Sequence, residues 1–386
     1  MKILAIAHES GFNGGANRSF YTVLCILRGT YQVDIDVIVP KATGEFVDAL
    51  KKDGIEYACH PYKNDFSVYR NELKDLVKRA YIRHRNLHNY LLAKKVAKDY
   101  KTKNYDVVYI NTRMSSFGAF LAKDINAPLV CHIREFGNPN AIWGCWTLEM
   151  VGKLSRKVIA ISTAMNAEIS RHIEAEKIVT ILNGIDYPST EKIVDNWNSN
   201  KINLLITGRV VEAKGHMDAL KALVELRKRG MFNVVLYVAG TVSNNTNGIK
   251  YKEEIDRFIL ENSLTENVTF CGEVKDMFSL RKNMAAELMC SVCEPFGRVT
   301  VEAMRSGLLV IGSNTGGTLD IISEGQTGLL YEQGNPVSLA DKIEWAVNNP
   351  DDRIEIQKRG FEYSKQHFTK EENANDIYNV FCEILS

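Results

Sequence analysis

Five side chains in this 386-residue chain combine chemical reach with suggestive spacing: His132, Arg209, Lys214, Glu294 and Glu302. Arg209 and Lys214 stand five residues apart in G208-R-V-V-E-A-K-G215. An anion between two such cations would gain charge-assisted hydrogen bonds, and the alternative is a solvated surface pair. Glu294 and Glu302 bracket E294-P-F-G-R-V-T-V-E302. Two carboxylates invite comparison with glycoside hydrolysis, but the spacing argues otherwise. With a helix starting near Gly297, Glu302 lies about 7.5 Å along its axis while Glu294 stays in the loop before it. Such a pair grips two parts of one extended ligand more readily than it flanks one bond, and a carboxylate can hold a ribose diol beside a phosphate-binding turn. His132 ends the apolar run PLVCHI. A histidine there is either a satisfied structural residue or a ligand contact at the carboxyl edge of a sheet.

Glycine-marked turns position these residues. Besides the two above, N13-G-G-A-N-R18 and N314-T-G-G-T-L-D320 each follow an apolar run and open a helical pattern. A helix N-terminus offers free N–H groups and partial positive charge, which suit a phosphate. Glycine lets a ligand approach the backbone. None of the turns matches G-x-G-x-x-G or a P-loop, so dinucleotide and NTPase readings lose their marker.

The runs at 3–7, 34–40, 106–111, 128–133, 157–162, 179–182, 202–208, 233–240, 267–272, 287–292 and 308–313 read as eleven strands. They are continuous rather than alternating, the pattern of strands buried on both faces, and helical segments between them imply parallel sheets of βαβ units. Ala16, Phe20, Val23, Leu24 and Leu27 share one helical face, as do Met217, Leu220, Leu223, Val224 and Leu226. Eleven strands are too many for one comfortable doubly wound sheet. The polar segment 186–201 is where a linker between two domains is expected. The last stretch, 369–386, is a helix with Ile377, Tyr378, Val380, Phe381 and Ile384 as apolar positions, and no strand follows it.

Hydrophobic residues at 45% and charged residues at 25% fit a globular protein of two domains. The net charge of +1 gives no global attraction for nucleic acid. MKILAIAHESG lacks the h-region and cleavage site of a signal peptide, and no stretch nears the roughly 18 apolar residues of a membrane span, so a cytoplasmic protein starting at Met1 is expected. Cys25, Cys131, Cys271 and Cys290 lie in apolar runs and read as small hydrophobes. Cys290 and Cys293 form a lone CxxC without a second ligand pair for zinc.

The ordered set of motifs resembles the retaining glycosyltransferases of family 4. The E294-to-E302 segment resembles their E-x7-E motif. G208-R-x4-K-G215, N183-G-I-D186, G14-G-A-N-R18 and G316-G-T-L-D-I-I322 are similar to the family's other signatures, in the right order over nearly the whole chain. The resemblance implies the α/β GT-B architecture. Two Rossmann-like domains, 1–187 on the acceptor side and 188–368 for the nucleotide-sugar donor, would face a cleft, with helix 369–386 crossing back to the first. Arg209 and Lys214 would hold the donor diphosphate, Glu302 the ribose, and Glu294 hydroxyls of the transferred sugar. Phe296, Gly297, Arg298 and Val299 would form the donor-binding turn, Gly15 would approach the phosphate, and His132 would assist the reaction beside the sugar. Two departures stand out: Asn17 where many members carry Glu, and Pro295 and Arg298 where Gly and an aliphatic residue are common.

A metal-independent reaction is implied, with no cofactor beyond the sugar nucleotide as substrate. Cations and helix N-termini would stabilise the leaving diphosphate, and domain closure would exclude water. The acceptor would be a glycan or lipid-linked hydroxyl in envelope or polysaccharide synthesis. A sugar-nucleotide epimerase of the same architecture and a non-catalytic nucleotide-sugar-binding module are the competing readings.

One segment stands apart. Residues 70–103 hold eleven Lys or Arg against three acids, a local charge of +8. Leu73, Leu76, Val77, Ala80, Leu87, Tyr90, Leu91 and Val96 recur at roughly helical spacing, with Tyr81 and His84 among the charges. A solvated helix whose stripe packs on the sheet is one reading. A surface for anionic lipid at the inner face of a membrane, or for an acidic acceptor, is the other.

Overall fold

The computed structural model describes all residues except 13, 69–74, 137–140, 194 and 198–199. The chain divides into two compact units, Met1–Gly184 with Lys370–Ser386, and Ile185–Thr369.

Unit 1 contains β1 (Lys2–Ile6), α1 (Gly15–Gly29), β2 (Asp34–Val39), α2 (Glu45–Lys52), β3 (Glu56–Cys59), β4 (Phe66–Val68), α3 (Asp75–Lys101), β5 (Val107–Ile110), α4 (Phe117–Ile125), β6 (Leu129–Ile133), β7 (Ala141–Trp143), α5 (Leu148–Leu154), β8 (Lys157–Ala160), α6 (Thr163–Ile169) and β9 (Ile178–Thr180). Seven of these strands form a parallel sheet in the order β3-β2-β1-β5-β6-β8-β9. β4 and β7 pair separately, antiparallel. Unit 2 contains β10 (Ile202–Thr207), α7 (His216–Lys228), β11 (Val234–Ala239), α8 (Thr246–Glu261), β12 (Val268–Gly272), α9 (Met277–Arg281), β13 (Ala286–Met289), α10 (Arg298–Arg305), β14 (Leu309–Ser313), β15 (Leu329–Tyr331), α11 (Pro336–Asn348) and α12 (Pro350–His367). Its sheet is parallel in the order β12-β11-β10-β13-β14-β15. In both sheets the order reverses beside the first strand, so the crevices lie at the carboxyl ends of β1 and β5 and of β10 and β13.

All eleven apolar runs are strands. One differs in environment: β12 is the outer strand of its sheet, and Thr269 and Phe270 on it are exposed. β3, β4, β7 and β15, of three or four residues each, are too short to leave a periodic signal.

α13 (Lys370–Leu385) packs within unit 1. Its Ile377, Val380 and Phe381 join the core that holds Phe20, Leu24 and Tyr109, and Tyr378 stacks on Tyr31 with ring centres 4.2 Å apart. Lys157 fixes it further through Glu383 at 2.7 Å. The segment read as a linker is a strap on unit 2. Trp197 is buried, Asp195 meets Arg353 at 2.8 Å, and the Thr190 amide donates to the Arg305 carbonyl. Trp197, Asp195 and Thr190 fasten it, while many of its other polar side chains stay exposed.

α3 corrects the packing expected of its stripe. Its inner face is Ile82, Asn86, Asn89, Ala93, Val96, Ala97 and Tyr100, packed largely on α4. Asn86 and Asn89 both donate to the buried Asp65 carboxylate, which anchors the helix. Val77, Ala80, Leu87 and Leu91 face solvent instead, and only Val96 of the stripe is fully buried in the described part. Arg70, Leu73 and Lys74 lie outside the described residues, as does the side chain of Leu76.

All eight cysteines are free thiols. Cys131 and Cys290 are buried, while Cys25 and Cys271 are only partly covered.

Candidate functional site

The unit 2 crevice gathers three glycine-framed loops. After β10 the chain turns through Gly208 and a short 3-10 turn, Glu212–Lys214, to Gly215. Gly215 has φ +67°, and a Cβ there would lie 1.9 Å from the Cys290 carbonyl oxygen. Only glycine fits, and the approach brings Lys214 beside the loop after β13. The Val292 amide donates to the Ala213 carbonyl, which fixes the two loops together. Gly316, at φ +56°, is crowded in the same way: a Cβ there would lie 2.5 Å from the Glu294 carbonyl oxygen, while the Gly317 amide donates to that oxygen at 2.7 Å.

Lys214 and Glu294 meet at the centre. Lys214 Nζ lies 2.6 Å from Glu294 Oε2, and Ser291 Oγ donates to the same oxygen at 2.9 Å. The lysine side chain is 28% exposed and the glutamate 16%, so water and a ligand can reach both. α10 starts immediately after Gly297, with no side-chain cap and no acid in its first turn. An uncapped helix start of this kind is a position at which anions bind. Arg298 and Val299 open that helix half-buried. Phe296 is buried, with its ring against Phe368 at 5.8 Å, so only its backbone can meet a ligand.

Glu302 sits one turn further into α10 and belongs to a second cluster. Arg281 Nη1 approaches its Oε2 at 3.5 Å and Arg298 Nη2 its Oε1 at 3.7 Å. Arg281 is fully buried, held by Glu287 at 2.7 and 3.2 Å and by the Tyr187 hydroxyl at 2.7 Å. Burial works against its charge, but the facing Glu287 and Glu302 carboxylates outweigh that and hold its pKa above the ordinary guanidinium value. Arg209 is exposed and pairs with no described acid. The structure thus joins Lys214 to Glu294, and Arg298 to Glu302, but places Arg209 against neither.

In unit 1 the groups after β5 and β6 form one buried network. His132 is fully buried at the end of β6. Its Nδ1 lies 2.7 Å from the Tyr109 hydroxyl and 3.1 Å from Arg134 Nη2. A guanidinium only donates, so Nδ1 accepts and the neutral ring carries its proton on Nε2. That Nε2 has no hydrogen-bond partner among the described residues. Burial, reinforced by the Arg134 charge, keeps the His132 pKa well below the ordinary imidazole value. Arg134 continues the network to Asn111 at 2.8 Å and to Asn183 at 2.5 Å. Asn111 donates to Asn17 Oδ1, and Asn17 donates in turn to the carbonyls of Glu9 and Gly11. Asn17 is therefore a buried brace of the loop after β1 rather than an acceptor contact.

Gly15 is the first residue of α1, whose first turn holds no acid; Asn13 of the same turn lies outside the described residues. Asp34-Ile35-Asp36 forms a D-x-D at the start of β2, where Asp34 meets Lys2 and Asp36 meets Lys103 and Tyr105, at the end of the sheet opposite the crevice.

Sequence reasoning missed Arg134, Asn111, Tyr109, Arg281 and Glu287. The alternation in H132-I-R134 could have flagged Arg134, since residues two apart in a strand share a face. Nothing in the sequence joins Arg281 to Glu287, because the pairing follows from how α9 packs against β13.

Two family models match the chain in tandem: Glycosyltransferase Family 4 over residues 14–187 and Glycosyl transferases group 1 over 189–363. The capsular polysaccharide biosynthesis glycosyltransferase CapM of Staphylococcus aureus is 27% identical over 58% of this chain and 62% of its own length. The human alpha-1,3/1,6-mannosyltransferase ALG2 is 29% identical over 55% of this chain and 54% of its own. The chain thus spans little more than half of these relatives' lengths. The crystal structure of Anabaena Alr3699/HepE in complex with UDP superposes with a TM-score of 0.79 at 22% identity, covering 99% of this chain and all of the other. The two share a fold.

Proposed function

Because the chain belongs to the family 4 glycosyltransferases and has the GT-B fold, we propose that it moves a sugar from a nucleotide-diphosphate-sugar to a hydroxyl acceptor, with retained anomeric configuration and without a metal. The observation that carries this reading is the Lys214–Glu294 pair, partly exposed beside the uncapped start of α10 at a sheet's switch point.

An entering diphosphate takes Lys214 from Glu294. The ammonium and the amides of Gly297, Arg298 and Val299 then face the charge that grows as the leaving group departs. The freed Glu294 carboxylate accepts hydrogen bonds from hydroxyls of the transferred sugar. Glu302, held by Arg298 and Arg281, accepts from the ribose diol. Arg209 adds a second cation for the diphosphate. In unit 1, His132 offers a neutral Nε2–H to a substrate hydroxyl and carries no charge of its own there. UDP is the first base to try, since the Anabaena relative in fold was crystallised with it, and the likeness to CapM supports a glycan acceptor in polysaccharide synthesis.

The test is incubation with UDP-, GDP- and ADP-sugars and candidate glycan or lipid-linked acceptors, with and without EDTA. A transfer product whose anomeric configuration matches the donor, formed equally with EDTA, is expected. An epimerised donor without acceptor consumption, or activity lost to EDTA and restored by Mg²⁺, overturns the reading. A thermal-shift panel names the base, since a ligand at about a hundred times its dissociation constant adds about 2.7 kcal/mol.

A further inference from the structure

α3 is anchored on one face and unpartnered on the other. Asn86 also accepts the Cys145 amide at 2.7 Å, and Arg85 reaches the carbonyls of Asn64 and Phe66, so the helix is fixed to its unit through its inner side. At about 100° per residue, Val77, Ala80, Tyr81, His84, Leu87 and Leu91 fall within an arc of about 120° on the opposite side. Val77 is 72% exposed, Tyr81 52%, Leu87 53% and Leu91 55%. Four large apolar side chains on one helix face are costly to leave in water and indicate a surface that is covered in use.

The charges say what covers it. The helix carries eight Lys or Arg against two Asp, in a chain of net charge +1. Arg79, Arg83, Lys94, Lys95, Lys98 and Lys101 are all exposed. Lys95 and Lys98 continue the apolar arc toward the C-terminus, and Arg83, Lys94 and Lys101 border it. A protein partner would leave these cations needing a matched acidic face, whereas an anionic bilayer takes apolar side chains and cations together. Apolar groups enter the acyl boundary while Lys and Arg reach the headgroups. Tyr81 and Tyr90, each under a cation at 4.3 and 4.6 Å, suit the wet boundary between the two. No described helix is long and apolar enough to cross a membrane.

We propose that the outer face of α3, Val77 to Lys101, lies on the surface of an anionic lipid bilayer, with Val77, Tyr81, Leu87 and Leu91 inserted and the cations at the headgroups. At about 1.5 Å per residue the apolar stretch from Val77 to Leu91 is about 21 Å long, enough to lie along the interface. Attraction of this kind is screened within a Debye length, about 8 Å at physiological salt, while the inserted apolar groups are not.

The experiment is cosedimentation of the full chain with vesicles of phosphatidylcholine alone and with phosphatidylglycerol, at low and at physiological salt, without donor or acceptor. Its outcome is therefore independent of whether glycosyl transfer takes place. The expected result is binding to the anionic vesicles only, weakened by salt. A charge-reversed variant, Arg83→Glu, Lys94→Glu, Lys95→Glu and Lys98→Glu, should lose at least a hundredfold in affinity, since each cation is worth about fivefold. Arg85 is spared because it holds backbone carbonyls. A second variant, Val77→Ser, Leu87→Ser and Leu91→Ser, keeps every charge and should lose about tenfold or more at both salts. Both change exposed positions, and an unchanged melting temperature confirms the fold. No binding by the wild type at low salt overturns the proposal. So does full binding by the serine variant, which would mark the face as a charge-only site for an acidic acceptor.

Discussion

In unit 2 the polar groups after β10 and β13 stay within reach of water: Lys214 and Glu294 neutralise each other at 2.6 Å, and Arg209 stands exposed. In unit 1 the groups at the same topological position are sealed, with His132, Arg134, Asn111 and Asn17 all buried and hydrogen-bonded to one another or to their neighbours except at His132 Nε2. The first arrangement can exchange partners, because a diphosphate replaces a carboxylate on an ammonium at little cost. The second cannot rearrange without stranding a buried group, so it offers one fixed donor and resists taking charge. On the proposed reading one crevice responds to a charged ligand and the other presents a constant face.

The largest way to break this comparison lies beneath the unit 2 site. Arg281 and Glu287 are buried and paired, so Arg281→Met leaves a carboxylate uncompensated and should cost about 3–5 kcal/mol of stability. The double variant Arg281→Met/Glu287→Leu should recover most of it in urea unfolding. If the double variant is no more stable than the single one, the pair is not what holds α9 to β13.

Next come the exchangeable cations. Lys214→Ala and Arg209→Ala should each lower turnover about 10²–10³-fold, the scale of removing one donor to a developing charge. On the proposed reading both act on one leaving group, so the double variant should lose less than the product of the two. Strict multiplication would place Arg209 outside the site. Glu302→Ala should then act mainly on affinity, weakening nucleotide-sugar binding about tenfold with a smaller change in turnover at saturation, the size of a lost hydrogen-bonding carboxylate. Unchanged donor affinity would remove the ribose assignment.

How far the sequence reveals this molecule depends on how local each cause is. Continuous runs such as ILAIA and PLVCHI declare buried parallel strands because a strand covered on both faces must be apolar throughout. The turns at Gly215 and Gly316 are legible because a backbone approaching a carbonyl within contact distance admits no Cβ. The short strands β3 and β15 leave no period to read. Segment 186–201 reads as a linker because polarity signals water, whereas here Asp195 and Trp197 fasten it to unit 2 through Arg353 and the core. The α3 stripe shows the same limit: spacing identifies a helix with an apolar face, but both faces carry apolar residues, and only the fold decides which is buried. Arg134 escaped notice because its partners, at 111 and 183, lie far apart in sequence.

The smallest expected effect sharpens the comparison most, because it concerns a charge that unit 1 refuses. The pKa of His132 is held well below the ordinary imidazole value by burial and by Arg134, so the folded chain leaves the ring neutral where an unfolded chain would protonate it. A depressed histidine contributes stability that is present above the unfolded pKa of about 6.5 and lost as pH falls below it. Between pH 7.5 and pH 6.0 that loss is about 0.8 kcal/mol for one such group. His216, lowered to about 4 by burial, adds a loss of the same sign. Glu135, whose burial pushes its carboxyl up to about 7, works the other way, since its folded form binds a proton that the unfolded form releases. Both remain in His132→Gln, so the difference between variant and wild type isolates His132. Urea unfolding at the two pH values should show the wild type losing about 0.8 kcal/mol more than the variant on acidification. Equal losses would mean that His132 takes up a proton as freely folded as unfolded, and that unit 1 exchanges charge as readily as unit 2.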